Sequence, residues 1–207
     1  MIHPTSNPQP ARLPLILAST SSFRRDLLLR LQLPFQVVAP ETDETPLAGE
    51  APAVTAERLA VSKARAVSGK FPSALIIGSD QVAYSGNQQF GKPGTRQNAI
   101  AQLQAMRGKE VVFHTVLCLL NSATARIQVA GVPTEVLFRS FSDEEINHYL
   151  DREDALNCAG SAKSEGLGIT LLEYMRSDDP TALVGLPLIA LCKMLRAEGV
   201  LMDDETS

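Results

Sequence analysis

The chain has 207 residues, 44% hydrophobic and 20% charged, with a net charge of −4. That balance fits a globular protein with a sizeable core and argues against a broad nucleic-acid-binding surface. No apolar run is long enough to cross a membrane and no signal peptide is visible; the three scattered cysteines, Cys118, Cys158 and Cys192, have no metal-site spacing and read as reduced thiols of a cytoplasmic protein.

Residues 1–12, beginning "MIHPTSNPQP", are polar and proline-rich and read as a flexible tail; residues 201–207 read as a second tail. Residues 13–200 between them read as one domain. "LPLIL" reads as a short buried strand, and the serines and threonine after it as a turn with N-caps. "FRRDLLLRLQL" predicts an amphipathic helix and "FQVVAP" a second strand. "ETDETPLAGEAP" is an acidic, proline-punctuated loop. "AVTAERLAVSKARAVSG" predicts a helix ended by Gly69, with Pro72 just beyond. "ALIIGSD" reads as a buried strand and "QVAYSGNQQFGKPG" as a hairpin turning at Ser-Gly-Asn. "TRQNAIAQLQAMRG" predicts a helix capped by Thr95 and closed by Gly108. "EVVFHTVLCLL" and "ARIQVAGVPTEVLF", joined by "NSAT", predict an antiparallel pair. "SDEEINHYLDR" starts on a capping box, Ser142 with Glu145. "LNCAGSAKSEGLG" is a glycine-spaced loop, and "GLPLIALCKMLRAEG" the last helix, with Pro187 near its start. Alternating strands and helices argue an α/β fold.

Several residues sit oddly in this pattern. Arg24 and Arg25 stand where a helix begins, and its dipole disfavours cations there. A docked anion resolves the conflict, because backbone N–H groups and guanidinium forks then share a target; two arginines facing water are the plain alternative. Lys63 shares an i, i+4 row with Leu59 and Val67, on or beside the apolar stripe of its helix. It either snorkels at the core's edge or reaches into a cleft to meet phosphate. Asp80 closes the run "ALIIGSD", where α/β proteins place ligand crevices, although turn aspartates are also common there. Gln81 follows it and points to the opposite face unless the chain bends. Lys92 sits in the stiff turn "GKPG", as a phosphate contact or a solvated turn lysine. Glu41, Asp43 and Glu44 supply hard oxygen ligands suited to magnesium or manganese, or form a solvated acidic loop. His3, His114 and His148 show no metal or triad spacing, and there is no P-loop or dinucleotide fingerprint. Cations for several phosphates, with carboxylates for metal and base work, suggest phosphoanhydride hydrolysis.

The motifs "LILASTSSFRR", "PETDE", "LIIGSDQV", "GKP", "CAGSAKSEGLG" and "LVGLP" together resemble the Maf family of nucleoside triphosphate pyrophosphatases, from about Leu15 to Glu198. The "SDQ" and "KSEG" variants are similar to the 7-methyl-GTP pyrophosphatase subgroup. The resemblance implies an elongated, twisted mixed sheet flanked by helices, with two lobes around a deep cleft. It implies hydrolysis of a nucleotide to its monophosphate and pyrophosphate with a divalent cation (Mg, Mn or Co), no nucleic-acid or membrane partner, and a homodimer. By motif, Asp80 matches the proton acceptor, Glu44 a catalytic and metal contact together with Asp80, and Lys63 and Lys92 catalytic cations. Ser19, Phe23, Arg24, Arg25, Gln81, Lys163 and Glu165 match the substrate-binding set, with Phe23, Gln81 and Glu165 at positions tied to base choice. Glu165 can accept from the N1–H and N2–H₂ edge of guanine, and the positive charge of a 7-methylated ring favours a carboxylate and an aromatic face nearby. Phe23 stands where the subgroup often has tryptophan, Ala162 where a larger aromatic is common, and Thr181 with Ala182 where asparagine is frequent. Two other readings stand beside this one: a pyrophosphatase of dTTP, UTP or modified pyrimidine nucleotides, and a non-catalytic nucleotide-binding regulator of cell division.

Overall fold

The structure is a computed structural model that describes residues 13–45 and 47–200. The two tails expected at 1–12 and 201–207 lie outside the described residues. Its strands are β1 (Leu15–Ala18), β2 (Phe35–Val38), β3 (Leu75–Ser85), β4 (Gln88–Phe90), β5 (Glu110–Asn121), β6 (Arg126–Phe138) and β7 (Leu172–Ser177). Its helices are α1 (Ser22–Leu29), α2 (Pro52–Ser68), α3 (Arg96–Met106), α4 (Asp143–Arg152) and α5 (Leu188–Ala197), with short 3-10 turns at Ala159–Ser161 and Leu167–Leu171.

The strands form one seven-stranded mixed sheet in the order β2-β1-β3-β5-β6-β7, with β4 also on β3. β1 runs parallel to β2 and β3, and the remaining pairs are antiparallel. The mixed sheet flanked by helices is the architecture expected from the sequence.

Period-two alternation sorts the side chains of three strands onto two cores. Leu15, Leu17, Leu75, Ile77, Leu117 and Leu119 pack with Leu27 and Leu28 of α1 and Leu191 and Leu195 of α5. Ile16, Ala18, Ile76, Val116, Cys118 and Leu120 pack instead on Ala56, Ala60, Ala64 and Val67 of α2. A third core, containing Phe90, Leu103, Met106, Phe113, Phe138, Ile146 and Tyr149, belongs to α3, α4 and the far ends of β5 and β6. Each fully buried Leu, Ile or Phe contributes about 1.5–3 kcal/mol. The first two cores make one lobe and the third makes the other.

Caps close several of these helices as the sequence suggests. Thr95 accepts from the Asn98 N–H, and Ser142 with Glu145 forms the full capping box. The cap of α5 is remote. Buried Asp179 accepts from the Ile189 N–H at 2.7 Å, and Thr181 Oγ1 from the Leu188 N–H at 2.8 Å. Thr181 thus serves the helix start with its hydroxyl.

Three expectations need correction. "ALIIGSD" and the first arm of the expected hairpin are one continuous strand, β3, so Asp80 lies within a strand rather than at its end. The cause is β5, whose ladder with β3 runs unbroken from Asn121 opposite Leu75 to Val112 opposite Tyr84. A hydrogen-bonded partner carries the polar Ser79-Asp80-Gln81 stretch through. α1 ends at Leu29 rather than continuing to Leu33, since Gln32 takes a left-handed φ of 55° and Pro34 follows. β7, unassigned from sequence, pairs with the outer edge of β6.

Candidate active site

β1 stops pairing with β3 at Ile77, while β3 runs on to Ser85. Beyond the carboxyl end of the parallel segment the sheet therefore leaves a crevice, and Asp80 lies three residues past the last parallel pair. A cavity of about 530 Å³ opens there. Phe23, Arg24, Glu44, Lys63, Asp80, Gln81, Lys92 and Glu165 all line it.

α2 delivers Lys63. Thr55, Ala56, Leu59, Ala60, Lys63, Ala64 and Val67 form its buried face, so the lysine enters the structure with the core side chains. Of the two readings, the structure takes the cleft. Lys63 is 5% exposed, and its Nζ lies 2.7 Å from Asp80 Oδ1 and 3.0 Å from Glu44 Oε1. Asp80 is itself 6% exposed. A charge pair this deep holds its geometry tightly, because losing one partner strands the other away from water.

Gly78 is what lets α2 come so near. A Cβ there would collide with the Ala60 carbonyl oxygen and sit 2.9 Å from the Ala64 nitrogen. Gly78 and Asp80 face α2, whereas Ser79 and Gln81 face the loop before α5, as alternation requires. Ser79 Oγ donates to the Gly185 carbonyl at 3.0 Å. Gln81 Nε2 lies 2.8 Å from Thr115 Oγ1 and 2.9 Å from the Leu183 carbonyl. Gln81 lines the cavity, yet its amide nitrogen fastens that loop.

The two arginines separate. Ser21 caps α1, its Oγ accepting from the Arg24 N–H. Arg24 turns inward, and its Nε donates to the Gly185 carbonyl at 2.8 Å. Burial pulls the Arg24 guanidinium below its ordinary pKa, and the nearby Asp80 and Glu44 carboxylates oppose that shift. Arg25 points outward, 2.9 Å from Asp26, and is not among the cavity-lining residues. Successive helical side chains diverge by about 100°, so one cleft takes one of the two. Ser19 also lies off the cavity lining; it is buried beneath the turn, its Oγ accepting from the Ser21 N–H at 3.1 Å. Lys163 is likewise not among the cavity-lining residues; its Nζ lies 2.7 Å from Glu153 Oε1 and 6.0 Å from the ring centroid of Phe23, which does line the cavity.

Among the described residues no cluster of three His, Cys, Asp or Glu side chains could hold a metal alone. The donor set nevertheless fits a hard cation shared with a phosphate ligand. Lys63 takes one oxygen each of Asp80 and Glu44 and leaves the other, and magnesium commonly uses one or two carboxylates plus substrate phosphates. Sequence reasoning missed Ser79 and Gly185, which fix Arg24 through nonlocal contacts, and Glu153. For Glu153 a signal existed: an acid at the C-cap of α4, where the helix dipole favours cations.

A sequence-family model described as "Maf-like protein" matches residues 14–198. A protein of Aromatoleum aromaticum named 7-methyl-GTP pyrophosphatase is 60% identical over 91% of this chain and 97% of its own length. Proteins of the same name from Cupriavidus metallidurans (56% identical, 94% of this chain, 96% of the relative) and Paraburkholderia xenovorans (60%, 89% and 92%) are similarly close. Among solved structures, the Staphylococcus aureus Ham1 protein is similar at a TM-score of 0.43 and 13% identity, over 60% of this chain and 71% of that one.

Proposed function

The chain belongs to the Maf family, and we propose that it hydrolyses 7-methyl-GTP to 7-methyl-GMP and pyrophosphate. The observation that carries this reading is the pairing of two chemistries in one cavity. Arg24, Lys63, Lys92, Asp80 and Glu44 suit a triphosphate undergoing attack, and Phe23 with Glu165 suits a cationic purine. The names of relatives 56–60% identical over most of their length support the same substrate.

In this mechanism the triphosphate docks on Arg24 and the first turn of α1, with Lys92 reaching it from the turn after β4. A water molecule attacks the α-phosphorus, and Asp80 takes its proton. The new bond joins the water oxygen to the α-phosphorus, and the bond to the bridging oxygen of the pyrophosphate breaks. Arg24, Lys63 and Lys92 neutralise the charge on the departing pyrophosphate. Lys63 also holds Asp80 in line, since it grips the carboxylate at 2.7 Å. A divalent cation held by Glu44 and Asp80 would supply Lewis-acid polarisation of phosphoryl oxygens; Mg, Mn and Co all suit oxygen donors of this kind.

Steady-state pyrophosphate release from 7-methyl-GTP, GTP, UTP and dTTP tests the substrate. The expected kcat/KM order is 7-methyl-GTP first, then GTP, then the pyrimidines, with the methylated base ahead of GTP by about tenfold, the worth of one cation–π or charge contact. Preference for UTP or dTTP overturns the purine reading of Glu165.

A further inference from the structure

Glu153 lies outside the cavity lining, yet both of its carboxylate oxygens are spent on the loop that carries Glu165. Oε1 accepts from Lys163 Nζ at 2.7 Å, and Oε2 from the Leu167 N–H at 2.9 Å. Gly166 presses so near that a Cβ there would collide with Oε2. Tyr149, one turn earlier in α4, completes the anchorage: its hydroxyl accepts from the Lys163 N–H at 3.0 Å and donates to the Ser161 carbonyl at 3.2 Å. The segment from Ser161 to Leu167 is thus hung from the end of α4 at both its ends. The Glu153 side chain is 12% exposed, so its charge is sheltered, and Lys163 and the Leu167 N–H together compensate it.

The consequence is electrostatic. Lys163 and Glu165 are two positions apart, and the Lys163 ammonium lies within 6.0 Å of the Phe23 ring centroid. Glu165 raises the Lys163 pKa through space, after the larger effect of the Glu153 hydrogen bond. An uncompensated ammonium there would repel a positively charged base from the Phe23 face and would draw Glu165 away from it.

We propose that Glu153 is a specificity-determining positioning residue: by binding Lys163 and the Leu167 N–H, it cancels the cation beside Phe23 and leaves the Glu165 charge for a cationic base. The inference rests on the 7-methyl-GTP reading above. It predicts discrimination between two substrates that differ by one methyl group and one positive charge.

The test compares Glu153→Gln with wild type on 7-methyl-GTP and on GTP. Glutamine still reaches the Leu167 N–H but cannot neutralise Lys163. The wild-type preference for 7-methyl-GTP is expected to fall about tenfold, through a raised KM for that substrate, with kcat little changed. Adding Lys163→Met to Glu153→Gln removes the freed cation and is expected to restore the preference. A purely structural role predicts equal losses on both substrates and no rescue, and that result overturns the inference. A wild type without preference between the two substrates instead overturns the substrate reading, and the inference falls with it. Preference in wild type with no change in Glu153→Gln overturns the inference alone.

Discussion

Asp80→Asn is expected to lower kcat for 7-methyl-GTP by about 10²- to 10⁴-fold, the usual worth of a general base. Asparagine keeps the shape of aspartate and still offers an oxygen to Lys63, which retains Glu44 at 3.0 Å. The buried lysine is therefore not stranded, and the fold should hold. Nucleotide affinity, measured by calorimetry with a non-hydrolysable 7-methyl-GTP analogue, should persist because Arg24 and Lys92 are untouched. Rapid-quench measurement of pyrophosphate formation reads the chemical step. Turnover within a few-fold of wild type would mean that Asp80 is not the proton acceptor.

Gly78→Ala is expected to damage stability and activity together. Its new methyl group meets the Ala60 carbonyl oxygen and lies 3.1 Å from the Ala64 Cβ. The obstacle is helix backbone, so no side-chain rotation relieves it, and α2 must move off the sheet. Overpacking of this kind costs about 1–3 kcal/mol, and each kcal/mol lowers Tm by about 2–4 °C in a chain of this size. The movement also pulls Lys63, one turn on from Ala60, away from Asp80. Activity is therefore expected to drop by more than about tenfold even well below the new Tm, since small misplacements at a reacting centre are costly. Gly69→Ala is the control, because nothing lies within 4 Å of its would-be Cβ. Differential scanning calorimetry with parallel kinetics checks both halves; an unchanged Tm and rate for Gly78→Ala would contradict the close approach of α2 to β3.

The sequence made the helix faces legible because their apolar rows repeat at helical spacing. Lys63 could be placed on the buried row of α2 from Leu59 and Val67 alone. The choice between snorkelling and cleft needed Asp80 and Glu44, which come from distant segments. The sequence points to Asp80 for an incomplete reason. The polar triplet Ser79-Asp80-Gln81 looks like a strand end, and the antiparallel ladder to β5 that carries the strand onward is invisible locally. What survives is the crevice, since it is β1, not β3, that stops there. Arg24 and Arg25 look equivalent in the sequence, and helical geometry alone separates them. β7 escaped because an edge strand with Glu173, Met175 and Arg176 exposed carries a weak apolar signal, although Leu172 and Tyr174 alternate with them. The anchorage of Glu165 through Glu153 depends on a loop folding back on the end of α4, which no periodicity encodes.

Hydrolysis of 7-methyl-GTP in ¹⁸O-labelled water, with the divalent cation supplied, is the decisive measurement. Attack at the α-phosphorus predicts one labelled oxygen in 7-methyl-GMP and an unlabelled pyrophosphate, formed in equal amounts. Label in pyrophosphate would move the attack to another phosphorus. Tight binding of the nucleotide with no product would make the cavity a binding site without turnover.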